Sequence, residues 1–369
     1  MENRLLVCCG CLLLACCSGV RESSILQPEL KDVSRAATGS FFSLQQAGEE
    51  VQAVYADRET LSLKMVGFAS GGVEEVSSLD RISFSTDLDA SFGSHLYLLA
   101  ENRQHIFYLD RIAEEKQTIK WISKSLSEKA WHIDLVPFSG RIVAALSAYR
   151  SPARIDLFLA QQGKLLLVNP QGPGPPALVA QGFDPRGDVS LLQGGKTPAF
   201  TSFDGISRRL YLIRQVENSY QLKPLYPAGE VHHAAITERD GLQVLIYDPQ
   251  GSELVLLELE GDLPGLRRTP VTLCHDVTSV FRFGGERNGC FLFSEGVMGA
   301  NRRKSYRISL LYPLRGRYRK TSLYVSPEPI LKFKALYREG TLYVLFLQES
   351  LKMLTVRTPE PALVENQDL

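Results

Sequence analysis

Apolar stretches of six or seven residues recur along the chain in pairs, each pair split by a short polar connection. The pairs are Val51–Ala56 with Leu61–Val66, His95–Ala100 with His105–Arg111, Arg141–Leu146 with Arg154–Leu159, Pro198–Phe203 with Arg208–Arg214, Leu242–Tyr247 with Glu253–Glu258, Gly289–Ser294 with Ser305–Leu311, and Thr341–Leu347 with Leu351–Val356. Runs this short, rich in β-branched and aromatic residues and bounded by turn formers, read as strands. Their starts step by 44, 46, 57, 44, 47 and 52 residues.

A further strand precedes each pair: Ser40–Leu44, Ile82–Thr86, Trp131–Val136, Val189–Gln193, Val231–Ile236, Thr278–Phe283 and Leu331–Leu336. Fainter outer strands follow, at Val73–Ser77, Thr118–Ser123, Gln221–Tyr226, Thr269–Leu273, Lys320–Val325 and Ala362–Glu365. The third repeat offers two candidates for its outer strand, Lys164–Val168 and Ala177–Ala180, separated by a Pro/Gly run that accounts for the long step. Four short strands repeating every 40–50 residues or so predict an all-β chain, a single β-propeller of seven four-stranded blades over residues 39–369.

Composition adds little to this picture. Apolar residues make up 44 % and charged residues 22 % of 369, ordinary values for a folded protein. Lys+Arg and Asp+Glu are both 41, so no global field favours nucleic acid, and a nucleic-acid role is argued against on charge grounds.

The N-terminus is more distinctive. Five of the seven cysteines are Cys8, Cys9, Cys11, Cys16 and Cys17, and Leu5–Ala15 is an uncharged apolar run behind Arg4. Such a run is a signal-peptide core and is too short to span a bilayer as a helix. Leu13-Leu14-Ala15-Cys16 resembles the lipobox of bacterial lipoproteins, with Leu14 standing where a small residue is preferred, a relaxation characteristic of spirochaetes. The resemblance implies a signal peptide over residues 1–15, acylation at Cys16 or, in the next frame, Cys17, a tether over residues 16–38, and a place in the bacterial cell envelope, periplasmic or surface-exposed. Within the tether, residues 25–33 have a second reading, as an outer strand closing the last blade. Lipobox and propeller together resemble the lipoprotein scaffold of the outer-membrane protein assembly machine, although that family has eight blades and a Trp-containing repeat that this chain lacks.

Two groups of residues are candidates for function. An acid follows the presumed second strand in five blades: Asp57, Glu101, Asp204, Asp248 and Glu295. Equivalent positions share a face, so these carboxylates form a candidate ring for a cation such as calcium or for a basic peptide. The competing reading is turn chemistry, because Asp opens hairpins by bonding its own backbone. The second group is a basic, Tyr-interleaved stretch without acids in blade six, with Arg302, Arg303, Lys304, Arg315, Arg317, Arg319 and Lys320, a candidate patch for acidic partners or simply a solvated strand face.

Linear catalytic motifs do not occur. Gln193–Thr197 evokes a phosphate loop but joins two strands, and His232 and His233 are neighbours on a strand, so they face opposite ways. Cys274 and Cys290 read as buried thiols or as a disulfide. The sequence therefore predicts a non-catalytic, lipid-anchored binding or scaffold module for a protein or envelope component. The alternative is a propeller enzyme, such as a dehydrogenase, lactonase or glycan hydrolase, with its site at the channel mouth.

Overall fold

A strand that is apolar on both sides must be covered on both sides. The second strands have this character: Val244, Leu245 and Ile246 are consecutive and fully buried. In the computed structural model they are sandwiched between neighbouring sheets. The described residues are 26, 28–69, 72–73, 77–81, 96–100, 103–113, 116–136, 144–151, 154–161, 163–172, 174–191, 199–217, 219–226, 234–238, 242–259, 266–283, 289–299, 301–314 and 317–357. Residues 1–25, with Cys16 and Cys17, lie outside them, as do Glu101, Arg315 and the strands expected at 82–86 and 362–365.

The described strands form seven antiparallel sheets, six of four strands and one of five. Their innermost strands are Ala37–Ala47, Leu96–Ala100, Ala144–Ser151, Pro185–Leu191, Ala234–Glu238, Val280–Phe283 and Lys332–Arg338. Each contacts the next, and the last contacts the first, so the ring is closed.

The apolar core is correspondingly divided by interface rather than by blade. Val244 and Ile246 pack toward blade four with Phe203 and Leu212, whereas Leu245 packs toward blade six with Phe291 and Phe293. Other clusters join blades one and two through Val54 and Ile106, two and three through Phe107 and Leu157, three and four through Phe158 and Phe200, and six and seven through Leu292 and Val344. The seam between first and last blades is filled by Phe42, Tyr55, Val66, Leu345 and Met353. Each such side chain contributes roughly 1.5–3 kcal/mol by leaving water.

Closure uses the N-terminal segment. Pro28–Ser34 runs antiparallel along Leu351–Arg357, pairing Pro28 with Val356 and Ser34 with Leu351, and it is the outer strand of blade seven. Much of the segment assigned to the tether is thus part of the ring, in line with the second reading of residues 25–33.

Blades two and three differ from the expected phase by one strand. Leu96–Ala100 and Ala144–Ser151 are innermost strands, not second strands. His132–Leu135 pairs with Lys116–Ser125 as the outer strand of blade two, rather than opening blade three. In blade three, Lys164–Val168 and Ala177–Gln181 pair with each other as third and fourth strands, and the Pro/Gly run is the connection between them. All four residues of His132–Leu135 are exposed, as suits an edge strand.

Strand order defines two faces. Turns between second and third strands, and the links from one blade to the next, lie on one face, here the far face. Hairpins joining first to second strands lie on the opposite, near face, where the two-residue turn Glu339–Gly340 has φ of 48° and 74°, the positive pair that tight hairpins require. Pro28 pairs at the near-face end of its sheet, so the chain enters the ring on the near face.

Cys274 and Cys290 are free and buried. Burial pushes Cys274 up to about 12 and Cys290 up to about 11, so neither is a thiolate at neutral pH. Two expectations follow. Iodoacetamide at pH 8, read by peptide mass spectrometry, should label Cys274 and Cys290 only after unfolding. Removal of residues up to Ser34 should lower the melting temperature by roughly 5–10 °C, on the scale of about 2–4 °C per kcal/mol, because it exposes the edge of Leu351–Arg357 and opens the seam.

Candidate functional site

The far-face ends of the second strands carry the residues singled out by the sequence. In blades one, four and five the device is the same. Asp57 accepts the N–H of Thr60 at 2.9 Å, Asp204 that of Ser207 at 2.9 Å, and Asp248 that of Gly251 at 3.3 Å. Each acid caps a four-residue turn whose last member, Leu61, Arg208 or Ser252, has φ of 47°, 53° or 51°. Bonding from the acid offsets part of the strain of a left-handed non-glycine residue.

The remaining carboxylate oxygens are also engaged. Asp57 meets Lys64 at 2.6 Å, and Asp248 meets Arg268 at 3.1 Å. Asp204 also receives the N–H of Asp184 at 2.8 Å and of Ile206 at 3.2 Å. In blade six, Glu295 accepts the Ser309 hydroxyl at 2.6 Å and Lys320 at 2.6 Å.

These four acids are buried, each within its own blade, rather than lining an open mouth. Among the described residues no group of three or more His, Cys, Asp or Glu is placed to hold a metal ion. Burial alone raises the carboxyl of Asp204, but bonds from the Ser207 hydroxyl and from the N–H groups of Asp184, Ser207 and Ile206 outweigh it and hold the group below the usual carboxylate range. Asp57 is lowered in the same way, burial being outweighed by Lys64 and Thr60.

Glu101 lies outside the described residues, and it follows an innermost strand, so it is not the counterpart of the other four. On the second strand of blade two the buried acid is Asp110, 2.9 Å from Lys120, which also meets Asp80 at 2.7 Å. Tyr108 donates to the same Asp80, tying blade one to blade two. Two more links cross blades: the Tyr220 hydroxyl donates to Asp156 at 3.2 Å and the Tyr324 hydroxyl to Gln348 at 2.8 Å. The sequence reading missed Asp110 and Asp156; once strand phase is fixed, an acid inside an apolar second strand is their signal.

The basic stretch is not one patch. Arg302 and Arg303 belong to the far-face turn of blade six, and Lys304 begins the strand Lys304–Leu314. Arg317 pairs with Leu314 at the other end of that strand, followed by Tyr318 with Pro313, Arg319 with Tyr312 and Lys320 with Leu311. Ten residue steps at ~3.3 Å separate the strand's ends by about 33 Å. Lys304 is paired with Asp276 on the link from blade five and Lys320 with Glu295 of its own blade, so both cations are partly used locally.

With this geometry in hand, comparison with solved structures is informative about fold. Virginiamycin B lyase from Staphylococcus aureus aligns with TM-score 0.56 and 10 % identity, over 90 % of this chain and 100 % of its own. YCF48 from Cyanidioschyzon merolae aligns with TM-score 0.53 and 11 % identity, over 89 % of this chain and 98 % of its own. This chain folds as a β-propeller. At such identity the likeness reaches no further than the fold. No family model matches the sequence, and no curated protein matches it.

Asp204→Ala should cost about 1–2 kcal/mol by removing a turn cap and the hydrogen bonds it accepts from Asp184, Ile206 and Ser207, measured by denaturant unfolding at pH 7. Because the folded carboxyl is depressed, its contribution is complete above the unfolded value of roughly 3.9 and is lost as pH falls through the folded value. Melts at stepwise lower pH should therefore show the gap between wild type and Asp204→Asn closing below about pH 4.

Proposed function

We propose that this chain is a lipid-anchored, non-catalytic propeller of the bacterial cell envelope that acts as a binding or scaffold module for a protein partner. The observation that carries this reading is the separation of chain entry from the far face. Pro28 joins the ring on the near face, at the rim of blade seven. Eleven peptide links connect Cys17 to Pro28, a reach of at most about 40 Å. A lipid on Cys16 or Cys17 would then hold the near face toward the bilayer and leave the far face, with its seven sets of turns, presented away from it.

Other features support a platform over a catalyst. The second-strand acids are engaged in capping turns and in bonds within their blades or, for Asp156, to the next blade, without leaving a convergent set of reactive groups among the described residues. The solved neighbours carry names both of a lyase and of YCF48, one structure of which is described as bound to D1 peptide. The fold serves either use, and the enzyme alternative has no specific observation in its favour here.

Mass spectrometry of the N-terminal peptide from native membranes tests the anchor. The expected species begins at Cys16 and carries acyl chains, and Cys16→Ser should release the protein to the soluble fraction. An unmodified cysteine, or a mature end beyond residue 17, would overturn the anchored reading.

A further inference from the structure

One sector of the far face combines exposed apolar side chains with a basic turn. Leu273 ends the outer strand of blade five and is 71 % exposed; Met298 ends the second strand of blade six at 62 %; Val325 lies near the end of that blade's outer strand at 55 %; Leu331 precedes the first strand of blade seven at 55 %. Strand alternation places Met298 on the blade seven side with Leu292, and Leu331 on the blade six side with Phe333, so these two flank one join of the ring. Leu273 points away from the side that Cys274 faces and Val325 away from the side that Tyr324 faces, and both stand apart from that pair.

The segments that carry Met298 and Leu331 are braced against the link from blade five. The N–H of Gly296 donates to the carbonyl of His275 at 2.9 Å, and Lys304 pairs with Asp276, so the link from blade five lies against the second strand of blade six. The Thr278 hydroxyl donates to the carbonyl of Ile330 at 2.9 Å and bonds Ser294 at 2.7 Å, which fixes the link into blade seven beside it. The turn after Met298 is held by Gly299 N–H to the Arg303 carbonyl at 2.9 Å and by Arg302 N–H to the Gly299 carbonyl at 3.0 Å. A surface fixed before binding loses little conformational freedom when a partner docks.

Charge identifies the partner's chemistry. Arg302 and Arg303 are both exposed, side by side at the Met298 turn. Asp276, the acid close to that turn, is taken up by Lys304. Glu328 and Glu349 belong to the blade seven side, where Lys332 also stands. Positive charge is thus concentrated at the blade six turn, next to Met298.

We infer that the sector formed by Met298, Leu331, Arg302 and Arg303 is a docking surface for an acidic protein segment carrying apolar anchor side chains. The inference rests on the binding-module reading and names its surface. Apolar anchors would settle against Met298 and Leu331, where burial supplies affinity, and flanking carboxylates would pair with the two guanidinium groups.

A displayed peptide library panned on the full chain tests this. The expected consensus is rich in Asp and Glu around at least one large apolar residue. A synthetic consensus peptide should lose at least tenfold in affinity with R302E/R303E and with Met298→Glu, weaken as salt rises, and be unaffected by Leu178→Glu on the near face of blade three. Melting temperatures of the variants identify any that fail to fold, and Leu331→Glu provides an independent apolar disruption.

No enrichment, a neutral or basic consensus, or binding insensitive to all the far-face variants would overturn the proposal. Insensitive binding would leave the module reading standing and move its surface elsewhere. Because panning reads the ring and not the acyl chain, failure of lipid attachment is a separate result.

Discussion

Burial of both sides of each blade is the constraint on which the rest of this structure depends. A four-stranded sheet with consecutive apolar residues in its second strand has no solvent side, so each blade is stable only between two others. In a ring this requirement is met everywhere only if the first and last blades also touch. Here the seam is filled by Phe42, Tyr55, Leu345 and Met353 and bridged covalently, because Pro28–Ser34 completes blade seven before the chain continues into blade one. Opening that seam would expose two apolar sheet faces at once. The N-terminal strand therefore covers the edge of Leu351–Arg357 and closes the ring, and it also fixes the face from which any anchor extends.

Much of this was legible in the strand pattern. Apolar runs at near-regular steps identify seven repeats because the pattern reflects inter-blade burial, which every blade must satisfy. Phase was harder to read. In blades two and three, first and second strands are equally apolar, so periodicity alone does not say which is innermost; Leu96–Ala100 and Arg103–Ala113 differ in depth, not in pattern. His132–Leu135 illustrates the same limit. Its Ile133 and Leu135 look like core positions, yet both are exposed on an edge. The Pro/Gly run of blade three lies between two paired strands, a connection whose length disguised the pairing.

The candidate residues were legible in position but not in environment. Asp57, Asp204 and Asp248 do recur at one structural place, and the turn reading describes their bonding. What the sequence does not display is burial: an acid at the end of a strand is the same letter whether it faces a channel or caps a turn beneath one. Glu101 shows how an error of one strand in phase carries a residue out of its set, and Asp110 shows what takes its place. The basic stretch misleads for a geometric reason, since residues adjacent in sequence across a hairpin of long strands are separated by the strand's full length. Arg302 and Arg319 share a charge pattern but lie at opposite faces.

Two faces with different roles emerge from these placements. The near face receives the chain; the far face carries capped turns, braced inter-blade links and exposed apolar side chains. Energy transfer from single labels to headgroup acceptors, with the chain reconstituted in vesicles through the proposed N-terminal lipid, tests this arrangement most directly. A label at Glu339, on a near-face hairpin, should transfer strongly, and one at Ser252, on a far-face turn, weakly. Equal transfer from the two positions, or stronger transfer from Ser252, would contradict the account.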